Sequence, residues 1–202
     1  CRVVTTRRLA SAATTTAAAA ALQVKFEPIT VGHVRCHGPG RSGDDRLAAA
    51  IELLVIHNIS LPPNEFGGDG VQRLFTNTLD ASAHPYYQTI AGLKVSAHFF
   101  IRRDGQVIQF VPCLKRAWHA GESFWQGKSR CNDFSLGIEL EGSDFVPFTD
   151  AQYVALDRLT RVLRAVYPLR GIAGHSDIAP QRKTDPGPCF DWIRYLVGLS
   201  KA

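Results

Sequence analysis

Two short apolar runs, each with an ionisable residue in or beside it, constrain this chain more than any other feature. Ile51 to Ile56 is apolar apart from Glu52, and Ser135 to Leu140 carries Glu139 inside it before Glu141-Gly142 closes the run. Runs this short and this apolar fit strands buried in a central sheet. His57 directly follows the first run, so it stands at a strand end, while Glu139 is embedded in the second. Leu61-Pro62-Pro63 and Gly67-Gly68 then mark a long loop, and Val71 to Phe75 fits a short helix. Val95, Ala97, Phe99 and Ile101 alternate with Ser96, His98 and Phe100, and the Asp104-Gly105 turn joins this strand to Gln106 to Val111 as a hairpin.

The C-terminal third reads as helix, short strand, loop and helix. Thr149 followed by Gln152 has capping-box form, and Tyr153, Leu156, Leu159, Leu163 and Val166 recur at helical spacing, which predicts an amphipathic helix over 150–167. Pro168 ends it. A short apolar run at Ile172-Ala173 leads into a loop from Gly174 to Pro180, and a last helix is expected around Phe190 to Val197. Strands mixed with helices in this way predict an α/β domain with one central sheet.

Charge narrows the partners. The formal net charge is +5, but residues 1–50 hold seven Lys or Arg against three acidic residues, and residues 51–202 hold sixteen against fifteen. The body is thus nearly neutral, and no nucleic-acid partner is expected. No stretch approaches the roughly 18 consecutive apolar residues of a membrane-spanning helix, so no transmembrane segment is expected either. Monomer is the default state, since no exposed heptad or interface stripe is evident. The five cysteines, at positions 1, 36, 113, 131 and 189, show no CxxC pairing, which favours free thiols in a reducing compartment.

Residues 1–31 form a low-complexity arm in this reading, and residues 32–202 form the functional domain. Arg7-Arg8 precede an alanine- and threonine-rich run from Ala12 to Ala21, which reads as a targeting remnant or a non-native leader. Cys1 as a lipid-bearing residue of an envelope protein is a further alternative.

Chemistry concentrates in His57, Glu139 and the stretch holding His175, Lys183 and Asp185. A catalytic zinc takes three protein ligands from imidazole and carboxylate groups, and His57, His175 and Asp185 meet that need if their loops lie together at one end of the sheet. The competing reading makes His57 a hydrogen-bonded strand-end residue and Asp185-Pro186-Gly187 a turn. Glu139 either points to solvent from an edge or faces a polar cavity, where desolvation raises its pKa towards the range of a general base. Lys183 is either an oxyanion donor or a solvated charge, and His98 is expected to hydrogen-bond near the site and help orient a ligand or substrate.

Five stretches, in order, carry a family resemblance. They are Leu54-Val55-Ile56-His57-Asn58-Ile59-Ser60-Leu61-Pro62-Pro63, Ser96-Ala97-His98-Phe99, Arg116-Ala117-Trp118-His119-Ala120-Gly121, Cys131 to Gly142, and Gly174 to Gly187. Over roughly residues 50–197 the chain resembles the bacterial N-acetylmuramoyl-L-alanine amidases, in particular the cytoplasmic branch that acts on 1,6-anhydro-muropeptides during cell-wall recycling. That resemblance implies a mixed central β-sheet flanked by α-helices, as in peptidoglycan-recognition proteins and phage T7-type lysozyme. It also implies a Zn2+ cofactor, a muropeptide substrate and a cytoplasmic location, with the periplasm or envelope as the alternative if the arm is a targeting remnant.

Residue by residue, the resemblance makes His57, His175 and Asp185 the zinc ligands, with Glu139 acting on the attacking water and Lys183 beside the scissile carbonyl. Asn58, Lys94, Trp118 and Arg130 fall where the family's substrate groove lies, although Lys94 stands where some relatives have Arg. Wider relatives use Cys as third ligand; here the position is Asp185, with Cys189 four residues later. The implied reaction is zinc-dependent hydrolysis of the amide between the lactyl group of the muramoyl sugar and L-alanine. The alternative class, a module that binds wall fragments without cutting them, typically lacks a full ligand set.

Overall fold

The computed structural model describes residues 27–28 and 50–201. Its sheet has the order β1-β4-β3-β7-β2-β8. The strands are β1 (Glu27–Pro28), β2 (Leu53–Ile59), β3 (Phe99–Ile101), β4 (Val107–Gln109), β7 (Ser135–Glu141) and β8 (Gly171–Gly174). Strand β2 pairs parallel with β7 and β8, β3 pairs parallel with β7, and β4 closes antiparallel on β3, so the sheet is mixed. The helices are α1 (Gly70–Phe75), α2 (Pro85–Thr89), α3 (Asp150–Val166), α4 (His175–Ile178) and α5 (Trp192–Ser200).

Strand periodicity sorts the two central strands. Leu54, Ile56, Leu136, Ile138 and Leu140 pack in one cluster with Tyr153, Leu156, Leu159 and Leu163 of α3 and Tyr195 of α5. The alternate residues Leu53 and Val55 pack instead with Ala120, Phe134, Ala173 and Ile178. Since side chains alternate between faces, His57 and Glu139 share the face of Val55, away from α3. All seven residues of β7 are buried, which matches the apolar run.

Helix α3 begins with the expected capping box, Thr149 accepting from the Gln152 N–H and the Gln152 side chain accepting from the Thr149 N–H. Elsewhere the observed elements differ from expectation in instructive ways. The hairpin strands are only three residues each, and the buried residues Ser96, Ala97 and His98 before β3 are held mainly by other segments. The Ser96 N–H donates to the Trp118 carbonyl, and the His98 N–H to the Gly137 carbonyl. The loop expected at Gly174 to Pro180 contains the single turn α4, held by Asp177 accepting from the Gly174 N–H at 2.7 Å. Helix α5 starts at Trp192 rather than Phe190, because Asp191 caps it, while Phe190 is buried against Phe148 and Tyr153. A small hairpin of β5 (Phe124–Trp125) and β6 (Lys128–Ser129) was not anticipated; its turn residues Gln126 and Gly127 have φ of +45 and +84.

Most of residues 1–31, with the targeting and lipid readings, lies outside the described residues, as do residues 32–49. Of that arm, Glu27 and Pro28 pair in parallel with Ile108 and Gln109 of β4. Cys131 and Cys189 are free thiols. Among the described residues no helix is long and apolar enough to cross a membrane.

Candidate metal centre and catalytic site

The carboxyl ends of three parallel strands build the site, the usual place for ligands in such sheets. In the β2–β7 register His57 lies directly opposite Glu139, and in the β2–β8 register Ile56 lies opposite Gly174. His175 therefore follows β8 immediately beside His57. His57 sits inside β2, two residues before its end, rather than after it. The third group, Asp185, comes from the loop after α4, whose carbonyl accepts from the Ser176 N–H at 2.9 Å. Gly174 lets that loop approach, since a Cβ there would lie 2.8 Å from Cδ of Pro186.

Three ligand atoms converge. His57 Nδ1 is 3.0 Å from His175 Nδ1 and 2.9 Å from Asp185 Oδ2, and His175 Nδ1 is 3.1 Å from the same oxygen. Tetrahedral zinc, with bonds of about 2.0–2.2 Å, separates its ligand atoms by roughly 3.4 Å, so a small opening of this triangle accommodates the ion. The outer nitrogens of both rings are spoken for. His175 Nε2 donates to the Ala120 carbonyl at 3.0 Å, which leaves its Nδ1 as a lone pair, and His57 Nε2 meets His119 Nδ1 at 2.9 Å. Burial lowers the pKa of His57 to about 4, against the opposing pull of Asp185, so the ring is neutral near pH 7. Burial pushes Asp185 up, but the imidazoles of His175 and His57 outweigh it and hold the carboxyl below the usual range. Two imidazoles and a carboxylate facing one point make a donor set suited to zinc.

Glu139 stands beside this group and is 8% exposed. Burial raises its pKa well above the ordinary value; Asp185 adds to the shift and Lys183 opposes it. Its Oε2 is buried without a hydrogen-bond partner among the described residues. A buried oxygen left open in this way calls for a donor from outside the chain, such as water or substrate. Lys183 is exposed, and its charge is felt at both Glu139 and His57.

The four residues expected to touch substrate are less uniformly placed. Asn58 lies next to His57 but commits its amide N–H groups to Asp144 Oδ1 at 2.8 Å and the Pro186 carbonyl at 3.0 Å, bracing the Asp185 loop. Trp118 is half-buried beneath the Arg116 guanidinium, 4.2 Å from its ring, and its indole N–H is buried without a partner. Arg130 is exposed, has a left-handed φ of +62, and shares Asp133 with Arg116 at 3.0 and 2.9 Å. Lys94 lines a separate cavity of about 260 Å³ with Leu74, Tyr87 and Leu93, which contains none of the candidate ligands. His98 accepts from the Gly137 N–H at 3.0 Å and donates to the Lys115 carbonyl at 3.1 Å, so it braces β7 and stays outside the ligand group. Cys189 is also outside that group.

Sequence reasoning assigned no role to His119, Asn132, Asp144 or Arg182. Arg182 donates to the carbonyls of Ala120 and Glu122, both at 2.7 Å, and so ties the Asp185 loop to the segment after Trp118. Except for Asp144 they stand within the stretches that carry the resemblance, but a side chain that holds backbone has no spacing signal of its own.

Comparison with known proteins agrees with this geometry. A family profile described as N-acetylmuramoyl-L-alanine amidase matches residues 47–188. The 1,6-anhydro-N-acetylmuramyl-L-alanine amidase AmpD of Escherichia coli (strain K12) is 60% identical over 151 residues, covering 74% of this chain and 82% of that protein. A crystal structure of a selenomethionine derivative of AmpD matches with a TM-score of 0.75 at 56% identity, covering 78% of this chain and 89% of the other. The amidase AmiD from E. coli, solved in complex with the substrate anhydro-N-acetylmuramic acid-L-Ala-D-γ-Glu-L-Lys, matches with a TM-score of 0.54 at 33% identity, covering 74% of this chain and 57% of that one.

Proposed function

This chain belongs to the N-acetylmuramoyl-L-alanine amidase family, and on that premise we propose that His57, His175 and Asp185 hold a catalytic zinc ion with Glu139 as general base and Lys183 as oxyanion donor. The reaction is hydrolysis of the amide bond between the lactyl group of (1,6-anhydro-)N-acetylmuramic acid and the L-alanine of the stem peptide, in peptidoglycan recycling. The observation that carries the residue assignment is the register pairing of His57 with Glu139, which sets an unsatisfied carboxylate oxygen beside three converging ligand atoms.

Zinc held there supplies Lewis acidity, lowering the pKa of water and polarising the amide carbonyl. Glu139 takes the proton from the attacking water; its raised pKa suits it to hold that proton near neutral pH. The ammonium of Lys183 offsets the charge that develops on the carbonyl oxygen. When the C–N bond breaks, the departing L-alanine amine needs a proton, and Glu139 returns the one it took. Asn58 and Arg182 hold the loop that carries Asp185 through their N–H groups, and the side-chain oxygen of Asn58 faces the substrate in this reading. Trp118, Arg130 and Arg116 form a cation and aromatic cluster next to His119, suited to the polar sugar and peptide of a muropeptide. Lys94 would meet the substrate from its own cavity, apart from the ligand group. The free thiols Cys131 and Cys189 fit a cytoplasmic enzyme.

The test is Glu139→Gln, which keeps size and removes the base. Zinc content should stay at about one per chain while kcat for release of tripeptide from an anhydro-muramoyl substrate falls by roughly 10² to 10⁴-fold. Retention of more than about half the parent kcat removes Glu139 from the proton transfer.

A further inference from the structure

We infer that His119 is a positioning residue for the metal site: it fixes the tautomer of His57, as the terminal member of a hydrogen-bond chain whose direction is set by the Cys131 carbonyl. This inference rests on the zinc assignment above and adds residues to it.

The direction of the chain follows from donor counting. Ser135 Oγ lies 2.6 Å from the Cys131 carbonyl, which can only accept, so the single hydroxyl proton is committed there. Ser135 Oγ therefore accepts from His119 Nε2, at 3.3 Å. A neutral His119 with its proton on Nε2 presents a lone pair at Nδ1. His57 Nε2, 2.9 Å from that nitrogen, must then be the donor, and the remaining nitrogen of His57, Nδ1, is left as the lone pair that faces Asp185 and His175. A carbonyl two hydrogen-bonded side chains away thus decides which atom of His57 is available as a ligand.

The neighbouring residue does the same for the other ring. His175 Nε2 donates to the Ala120 carbonyl, so two consecutive residues, His119 and Ala120, orient both imidazoles. That pair is itself clamped. Asn132 Oδ1 accepts from both backbone N–H groups, at 3.2 Å from His119 and 2.9 Å from Ala120. The sheet makes room for the ring: at Gly137 in the middle of β7, a Cβ would come within 2.5 Å of Cγ of His119. A glycine inside an otherwise apolar strand weakens it, and here the space it leaves is filled by this imidazole. Hydrogen bonds to the outer nitrogen of a metal-bound histidine typically carry 10 to 100-fold in metal affinity.

Three proteins and two measurements test this. His119→Asn keeps an acceptor near the Nδ1 position, whereas His119→Leu removes it at similar bulk. Zinc affinity is measured by chelator competition, and thermal unfolding is followed on the zinc-free proteins. His119→Leu should bind zinc 10 to 100-fold more weakly, and His119→Asn should recover to within about threefold of the parent. Equal zinc affinity in parent and His119→Leu overturns the inference, as does an Asn variant as weak as Leu, which would mark a packing role. If the Leu variant does not fold, a nitrogen-15 spectrum of the histidine side chains in the zinc-free parent decides alone: His57 must carry its proton on Nε2 before any metal binds, and a proton on Nδ1 overturns the assignment. A parent that binds no zinc would instead sink the zinc reading itself, a result distinguishable from the others.

Discussion

At the scale of single residues, Glu139 is where stability and the proposed proton transfer oppose one another. Its folded pKa is raised above the unfolded value, first by burial and then by Asp185. A raised carboxyl means that the folded state favours the proton, so its contribution is fully present below about 4.5 and is lost as pH rises through the folded pKa. Glutamine stays neutral throughout. In zinc-free protein, Glu139→Gln should therefore raise the unfolding midpoint by a few degrees near pH 8 and leave it unchanged near pH 4. A gain of the same size at both pH values would point to packing rather than charge. Lys183 is the contrasting case, an exposed cation whose loss should cost little stability. Lys183→Ala should keep zinc content and midpoint while lowering kcat by about 10²-fold or more, the usual cost of one oxyanion donor; activity within twofold of the parent would leave the metal as the only oxyanion partner.

At the scale of elements, Gln152 shows how a helix start is welded to the sheet that carries the site. It is fully buried, its amide N–H groups donate to the Ile101 carbonyl at 3.2 Å and the Glu141 carbonyl at 2.9 Å, and its oxygen accepts from the Thr149 N–H. Gln152→Ala strands these buried groups at about 1–3 kcal/mol each in the worst case. The midpoint should fall by roughly 5 °C or more, since each kcal/mol moves a domain of this size by about 2–4 °C. Zinc affinity should not change, because Gln152 touches no ligand; a matching loss of affinity would show that α3 tunes the site. The capping box behind this contact was legible in sequence, as were β2, β7 and the hairpin, because period and turn chemistry are local signals. The one-turn helix α4, the Gln126-Gly127 hairpin and the short length of β3 were not. One turn is too short to show a period, and residues 96–98 are buried on both faces, so their alternation carried no information about which face meets the core. The ligand group His57, His175 and Asp185 and the proposed base Glu139 became legible only through ordered motifs, since the register that brings them together is a long-range property. His119 and Asn132 stayed hidden because their roles lie in hydrogen-bond direction.

At the scale of the whole molecule, the sheet collects at one end groups that cost stability until a cation joins them, and pH reads that cost. Burial lowers His57 from 6.5 to about 4, outweighing the hydrogen bond and charge of Asp185, which act the other way. A folded pKa below the unfolded one means that, as pH falls, the unfolded chain binds the proton first. The stability that comes from keeping His57 neutral is therefore complete above about 6.5 and drains away between about 6.5 and 4. At two to three orders of magnitude in proton affinity, the effect is on the order of 3 kcal/mol, or several degrees in midpoint. His57→Asn removes the titration but keeps a polar side chain on β2. Both proteins should be stripped of zinc and unfolded thermally at intervals from pH 8 to pH 4. The parent should lose ground to the variant steadily across the window below 6.5, and the difference between them should be flat above it. A difference that is constant from pH 8 to 4 would mean that His57 titrates alike in the folded and unfolded chain. Protonation at an ordinary pH would in turn make zinc and protons compete for the same nitrogen near neutrality, the opposite of what its burial in β2 provides.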